Sequence, residues 1–118
     1  MSTMATTTGD RQLDSLFTAL SDPTRRDIVA RLSGGEATVT ELAAPYAMSM
    51  QAVSQHIRVL ERCGLISQGR HRQTRPCRLE PAALEAASSW IEESRRAWSE
   101  RMDRLETHLA RLQERENR

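Results

Sequence analysis

The stretch from Met48 to Leu65 constrains this chain more than any other, because both ends of one helix are written into it. Ser49 is a favourable N-cap, since its hydroxyl can accept a bond from an unpaired N–H of the first turn. Gly64 suits the residue just past a helix end, where the chain turns through a left-handed conformation. Between the caps, Val53, Ile57 and Leu60 form one apolar face. Gln51, Gln55, Arg58 and Arg62 follow one another at steps of four, three and four, so they share the opposite face. That face carries amide and guanidinium forks, with a single acid, Glu61, beside it. Gln pairs in bidentate fashion with adenine edges, and Arg with guanine edges, in the major groove of DNA. An ordinary solvated helix would mix Lys and Glu there instead.

The flanks of this helix repeat the message. Upstream, Thr38-Val-Thr-Glu41 matches a capping box, with Thr38 as N-cap and Glu41 reaching back. It predicts a short helix through Leu42 and Ala43 to about Tyr46, stopped early by Pro45. A tight turn at Ala47-Met48 then leads into Ser49. Helix, short turn, helix is the helix-turn-helix arrangement, whose second helix enters the major groove. Downstream, Leu65-Ile-Ser67 and Cys77-Arg-Leu79 read as two short strands around a Gly69 turn, a "wing" bearing Arg70, His71, Arg72 and Arg75. The expected DNA-contacting residues are Ser49, Met50, Gln51, Ser54, Gln55, Arg58 and Arg62 on the recognition helix, with Arg70, His71, Arg72 and Arg75 on the wing.

Charge distribution agrees where total charge is silent. The chain's 17 basic side chains are all Arg, against 16 acids, a net of +1. Residues 50–78 hold six Arg and one acid, a local net of +5, while the segments on either side are each −2. A basic centre between mildly acidic ends is the electrostatic footprint of a nucleic-acid surface.

The rest of the chain reads as scaffold and pairing device. Leu13, Leu16, Phe17 and Leu20 make one stripe of a first helix. Ser21-Asp22-Pro23 ends it and starts the next, with Asp22 as N-cap and Pro23 in the first helical position. Ile28, Val29 and Leu32 face the core, and Gly34-Gly35 closes that helix. From Pro81 onward neither Gly nor Pro occurs, and Leu84, Ile91, Trp98, Leu105 and Leu112 recur every seven residues. Ala87, Met102 and Leu109 partly fill the intermediate positions. About 30 helical residues span ~45 Å, longer than so small a domain needs. A seam of this kind is buried by a partner helix, most economically that of a second copy; a helix folded back on its own domain is the other reading. With only 38% hydrophobic and 3% aromatic residues, one copy has a thin core. The expected organisation is a disordered tail over 1–10, a winged helix-turn-helix domain over 11–80, and a dimerisation helix over 81–118 with a frayed end. Leu13, Phe17, Leu84, Ile91, Trp98, Met102, Leu105 and Leu109 are the expected dimerisation residues.

The residues Phe17-Thr-Ala-Leu-Ser-Asp-Pro-Thr-Arg-Arg26, Val39-Thr-Glu-Leu42, Met48 to Leu65 and Arg75-Pro-Cys-Arg-Leu79 resemble the ArsR/SmtB family of bacterial winged helix-turn-helix repressors. The likeness covers roughly residues 11–112. It implies a mainly α fold of four helices, a β-hairpin and a long fifth helix. It also implies a homodimer built from the first and last helices, with the fourth helix in the major groove. The Arg-Pro-Cys-Arg-Leu strand and the Trp-containing last helix are similar to the SdpR-like branch of autorepressors, which lacks a recognised metal site. Where some members of the family carry Cys-Val-Cys, this chain has Glu41-Leu-Ala-Ala44. Where others carry two His/carboxylate pairs on the last helix, it has only the Glu106-x-His108 fragment. Zinc favours four ligands in tetrahedral array, so no metal and no cofactor is expected. Cys63 and Cys77 leave a thiol switch open, but both fit as small buried apolar residues.

No apolar run approaches the 18 residues of a membrane span, and Met1–Asp10 is polar and Thr-rich, unlike a secretion signal. Two Cys in such a chain fit a reducing cytoplasm. There is no glycine-rich phosphate loop, nucleophile elbow or carboxylate pair to suggest an enzyme. The expected function is a sequence-specific, DNA-binding transcriptional regulator: a homodimeric repressor on a palindromic operator, its partners double-stranded DNA and itself. The alternative is a helical dimerising protein-interaction module that does not bind DNA.

Overall fold

In the computed structural model, residues 8–69 and 75–117 are described. The elements are α1 (Thr8–Leu20), α2 (Pro23–Leu32), β1 (Ala37–Thr38), α3 (Val39–Ala43), α4 (Met50–Arg62), β2 (Ile66–Gln68), β3 (Pro76–Leu79) and α5 (Pro81–Glu116). The helices come in the expected order. Residues 8–10, expected within a tail, instead form the first turn of α1.

The helix starts follow from the caps. The Arg25 amide donates to Asp22 Oδ2 at 3.0 Å, with Pro23 in the first turn of α2. Thr38 and Glu41 close the capping box reciprocally, at 3.1 and 2.9 Å. The Ala52 amide donates to Ser49 Oγ at 3.1 Å and opens α4. At the other end of α4, Gly64 adopts φ +84°, and the Gly64 and Leu65 amides bond back to Glu61 and Leu60, each at 3.0 Å. That is the Schellman arrangement, in which a left-handed residue turns the chain and satisfies the last carbonyls.

α3 stops at Ala43, three residues before the expected end. Pro45 has no N–H to give the Glu41 carbonyl, which loses its partner one turn on. Arg31 supplies the missing donors from α2: Nη2 bonds the Glu41 carbonyl at 3.0 Å and Nη1 the Leu42 carbonyl at 2.7 Å. Its guanidinium also lies 5.4 Å from the Tyr46 ring centroid, and the Tyr46 hydroxyl donates to the Asp27 carboxylate. The turn before α4 is therefore a six-residue loop over 44–49, longer than the tight turn expected.

The wing also differs in detail. The first strand shifts by one residue, to 66–68, the second begins one residue earlier, at 76–79, and the sheet has three strands rather than two, in the order β1-β3-β2. Ala37 pairs with Cys77 and Thr38 with Pro76 on one side of β3; Ile66 pairs with Leu79 and Gln68 with Cys77 on the other. β1 is only two residues, the second of them Thr38 of the α3 capping box, too short for any alternation to reveal. It joins the wing to the front of the helix-turn-helix.

One apolar core runs through Leu16 and Ala19 of α1, Ile28, Val29 and Leu32 of α2, Leu42 of α3, and Val53, Ile57 and Leu60 of α4. Cys63, Leu65, Ile66, Cys77, Ala83 and Ala87 complete it. No polar or charged residue is buried among the described residues. The chain divides into two compact units after Ala87, inside α5 rather than at its start. The second unit is the remaining run of α5, whose large apolar side chains lie exposed on this chain, Ile91 at 52% and Trp98 at 59%. No described helix is long and apolar enough to cross a membrane.

Both cysteines are free and buried. The Cys63 thiol donates to the Leu60 carbonyl at 3.3 Å, and burial pushes its pKa up. Burial pushes the Cys77 thiol up to about 11, and the Glu61 charge adds to the effect. Burial thus favours the neutral thiol over the thiolate, the form from which oxidation begins. The sign of the pH effect follows. The unfolded chain releases the Cys77 proton near 9 and the folded protein near 11. Stability from this site is full below pH 9 and is lost as the pH rises towards 11. Urea midpoints measured across this range should fall less steeply for Cys77→Ala than for the parent chain; parallel slopes would assign the alkaline loss to other groups.

Candidate nucleic-acid interface

The outer face of α4 follows from its caps and its buried stripe. With Val53, Ile57 and Leu60 held in the core, Met50, Gln51, Gln55, Arg58 and Arg62 are exposed and Ser54 is half-buried. Ser49 is exposed at the N-cap. Within this face Arg58 Nη1 donates to Gln55 Oε1 at 2.9 Å. The bond uses the amide oxygen of Gln55 and leaves its NH₂ and the remaining guanidinium donors facing outward. The two side chains thus form one preorganised donor unit rather than two independent ones.

Between α4 and the wing lies a polar hollow of about 380 Å³, lined by Arg58, Glu61, Gln68, Gly69 and Arg75. The Gly69 amide bonds the Pro76 carbonyl at 2.8 Å and closes the base of the hairpin. Gln68 Nε2 donates to Glu61 Oε1 at 2.9 Å. The one acid of the basic segment is thereby turned towards the wing strand. The arrangement brings Arg58 and Arg75 to one concavity. It places Arg62 elsewhere, against α1, where it lines a hollow of about 290 Å³ with Asp14, Ser15, Thr18, Val59 and Cys63. Arg70, His71 and Arg72 lie outside the described residues.

His56 points the other way. It is half-buried, with Nδ1 at 3.3 Å from Arg25 Nη1 and 3.8 Å from Asp22 Oδ2. The Arg25 backbone N–H holds the Asp22 carboxyl below its ordinary range, against the opposing effect of burial, and the neighbouring His56 and Arg25 charges lower it further. Arg25 also donates from Nε to the Ala19 carbonyl at 2.7 Å and from Nη2 to the Thr18 carbonyl at 3.2 Å, while Arg26 Nη1 reaches the Leu20 carbonyl at 2.7 Å. These two arginines cap the open end of α1. Sequence reasoning treated this half of the chain as apolar scaffold and missed them. The usable signal was two Arg within the first turn of α2, next to the helix end they satisfy.

Among the described residues no three His, Cys, Asp or Glu side chains gather where a metal ion would fit.

A family model described as a helix-turn-helix domain matches residues 20–68. Two curated relatives match over most of their length. The transcriptional repressor SdpR of Bacillus subtilis (strain 168) is 32% identical over 79 residues, covering 67% of this chain and 88% of that repressor. The HTH-type transcriptional regulator Rv2034 of Mycobacterium tuberculosis (strain ATCC 25618 / H37Rv) is 41% identical over 76 residues, 64% of this chain and 71% of that protein. The crystal structure of an ArsR family transcriptional regulator, RHA00566, superposes with a TM-score of 0.71 at 39% identity, over 75% of this chain and 92% of that one. The chain belongs to the ArsR family. It is a DNA-binding transcriptional regulator on a winged helix-turn-helix scaffold, a family that is not an enzyme class.

The Gln55–Arg58 bond makes a prediction about coupling. Gln55→Ala and Arg58→Ala should each cost ~1–3 kcal/mol against the preferred operator and relax base preference. Residues in one hydrogen-bonded unit do not add, so the double variant should lose less than the two single losses combined. Additive losses in a titration cycle would mean the pair separates on DNA.

Proposed function

We propose that the protein is a homodimeric repressor that binds a palindromic operator in the bacterial cytoplasm, with α4 reading bases and the wing holding the backbone. The observation that carries this reading is the outer face of α4: an exposed Gln51, Gln55 and Arg58 row above a fully apolar inner face, with the only acid of residues 50–78 engaged by Gln68. Gln51, Gln55 and Arg58 are assigned to base edges, and Ser49, Met50 and Ser54 to the start of the helix where it meets the groove. Arg62 is assigned to flanking phosphate. On the wing, Arg70, His71, Arg72 and Arg75 are assigned to phosphate or the minor groove. Two copies would set two recognition helices on half-sites ~34–36 Å apart.

The homodimer is supported by the apolar row of α5. Ile91, Trp98, Leu105 and Leu109 are all about half exposed on the single chain. Leu13 and Phe17 of α1 and Leu84 of α5 are half-buried beside the core, and Met102 is half-buried on the second unit. Monomers seldom leave so long an apolar row open to water.

Mobility-shift titrations with the chain's own promoter test the reading. If each subunit makes about four phosphate contacts, the log–log dependence of affinity on salt should have a slope of roughly −7. Salt-independent affinity, or indifference to every duplex together with a co-purifying protein, would instead favour an interaction module. Leu105→Asp tests the dimer, because pairing would bury a carboxylate with no evident partner. That variant should sediment as a monomer or unfold, and lose operator binding. A stable Leu105→Asp dimer with intact binding would place subunit contact elsewhere.

A further inference from the structure

Arg58 has two acceptors within reach on its own helix. Gln55 lies three residues before it and Glu61 three residues after, and side chains at that spacing are neighbours on a helix surface. A carboxylate is the stronger acceptor for a guanidinium, since both partners are then charged. Yet Arg58 Nη1 donates to Gln55 Oε1, at 2.9 Å, and among the described residues no ion pair joins Arg58 to Glu61.

What holds Glu61 is Gln68, the last residue of β2, whose Nε2 donates to Glu61 Oε1 at 2.9 Å. Gln68 is itself fixed by the hairpin. It pairs with Cys77 of β3, and the amide of the next residue, Gly69, bonds the Pro76 carbonyl at 2.8 Å. Glu61 and Gln68 are both half-buried, while Arg58 and Arg75, which line the same hollow, are exposed. The base of the wing thus keeps the carboxylate on its own side of the hollow.

The consequence reaches beyond net charge. A carboxylate bonded to Arg58 would occupy the donors that a guanine edge needs. The guanidinium would then lie along α4 instead of projecting from it. Base readout would be lost, while the attraction of the surface for phosphate would change little, because the charge of the segment stays the same.

We propose that Gln68 is a positioning residue for base recognition: by holding Glu61 it keeps the Arg58 guanidinium available to a base edge. This rests on the reading of α4 as the base-contacting element. It adds a residue of the wing strand that governs specificity without touching a base.

The experiment compares affinity for the chain's own promoter with affinity for a random duplex of equal length, using the full chain. Gln68→Leu removes the donor at similar size and unchanged charge. Promoter affinity should fall on the order of tenfold, the scale of one base-reading contact, with the random duplex bound about as tightly as before. Adding Glu61→Gln to Gln68→Leu removes the charge that competes for Arg58, and this double variant should regain the parent's selectivity. Glu61→Gln alone keeps an acceptor for Gln68 and should bind both duplexes more tightly at unchanged selectivity. Melting temperatures separate lost readout from lost folding, and Gln68→Val, suited to a strand, takes the place of Gln68→Leu should the latter unfold. Selectivity unmoved by loss of the Gln68 amide would overturn the inference. So would a loss that Glu61→Gln fails to restore, because a displaced wing rather than a freed carboxylate would then be the cause. A parent chain that binds promoter and random duplex alike, or Arg58→Ala with parental selectivity, would instead sink the reading of α4 on which the inference rests.

Discussion

The Arg25 guanidinium is the contact on which the geometry of the DNA-binding unit depends. A helix end leaves four carbonyls without partners, and α1 ends within two residues of the start of α2. From the first turn of α2, Arg25 takes the Ala19 carbonyl and shares the Thr18 carbonyl with the Ser21 amide and hydroxyl. Its third direction reaches His56 on α4, and its own amide is the donor that Asp22 caps. One residue therefore ties the end of α1, the start of α2 and the inner side of the recognition helix. Charged hydrogen bonds of this type contribute ~1.5–3 kcal/mol each. A lysine, with one compact ammonium, could not hold the same fan of acceptors.

Arg31 repeats the device one element later. Pro45 ends α3 early, and the carbonyls it orphans are taken by a guanidinium from α2. The short α3 is thus anchored at its start by the Thr38–Glu41 box and at its end by Arg31. Two of the four helices of the DNA-binding unit end on arginines borrowed from α2. The angle between α3 and α4 is fixed by polar contacts as well as by Leu42, Val53 and Ile57 in the core beneath them.

How much of this could be read beforehand follows from the range of each interaction. Caps are local: Asp22, Thr38–Glu41, Ser49 and Gly64 each act within three or four residues, and each stands where the sequence places it. The seven-residue row on α5 is also local in periodicity. What was hidden depends on residues distant in the chain. β1 exists because Ala37 and Thr38 meet β3 some forty residues later. α3 stops short because an arginine from α2 makes stopping there inexpensive. Arg62 shares the helical face of Arg58 by spacing, yet borders α1 in a hollow with Asp14, Ser15 and Thr18. Glu61 looked like a blemish on a basic face until Gln68 was placed beside it.

The same distinction between local and global governs the electrostatics. A net charge of +1 over the whole chain says little, since charges separated by more than ~8 Å are largely screened at physiological salt. What DNA meets is the charge within that distance of the contact. Over residues 50–78 this is six arginines against one acid, and the acid is bonded to a neighbouring amide rather than turned outward. The acids that balance the total lie outside this segment, most of them on α5. Near-neutrality overall limits indiscriminate attraction to polyanions, while a local basic excess still favours contact with a phosphate backbone. Segregating charge by element gives a small protein both properties.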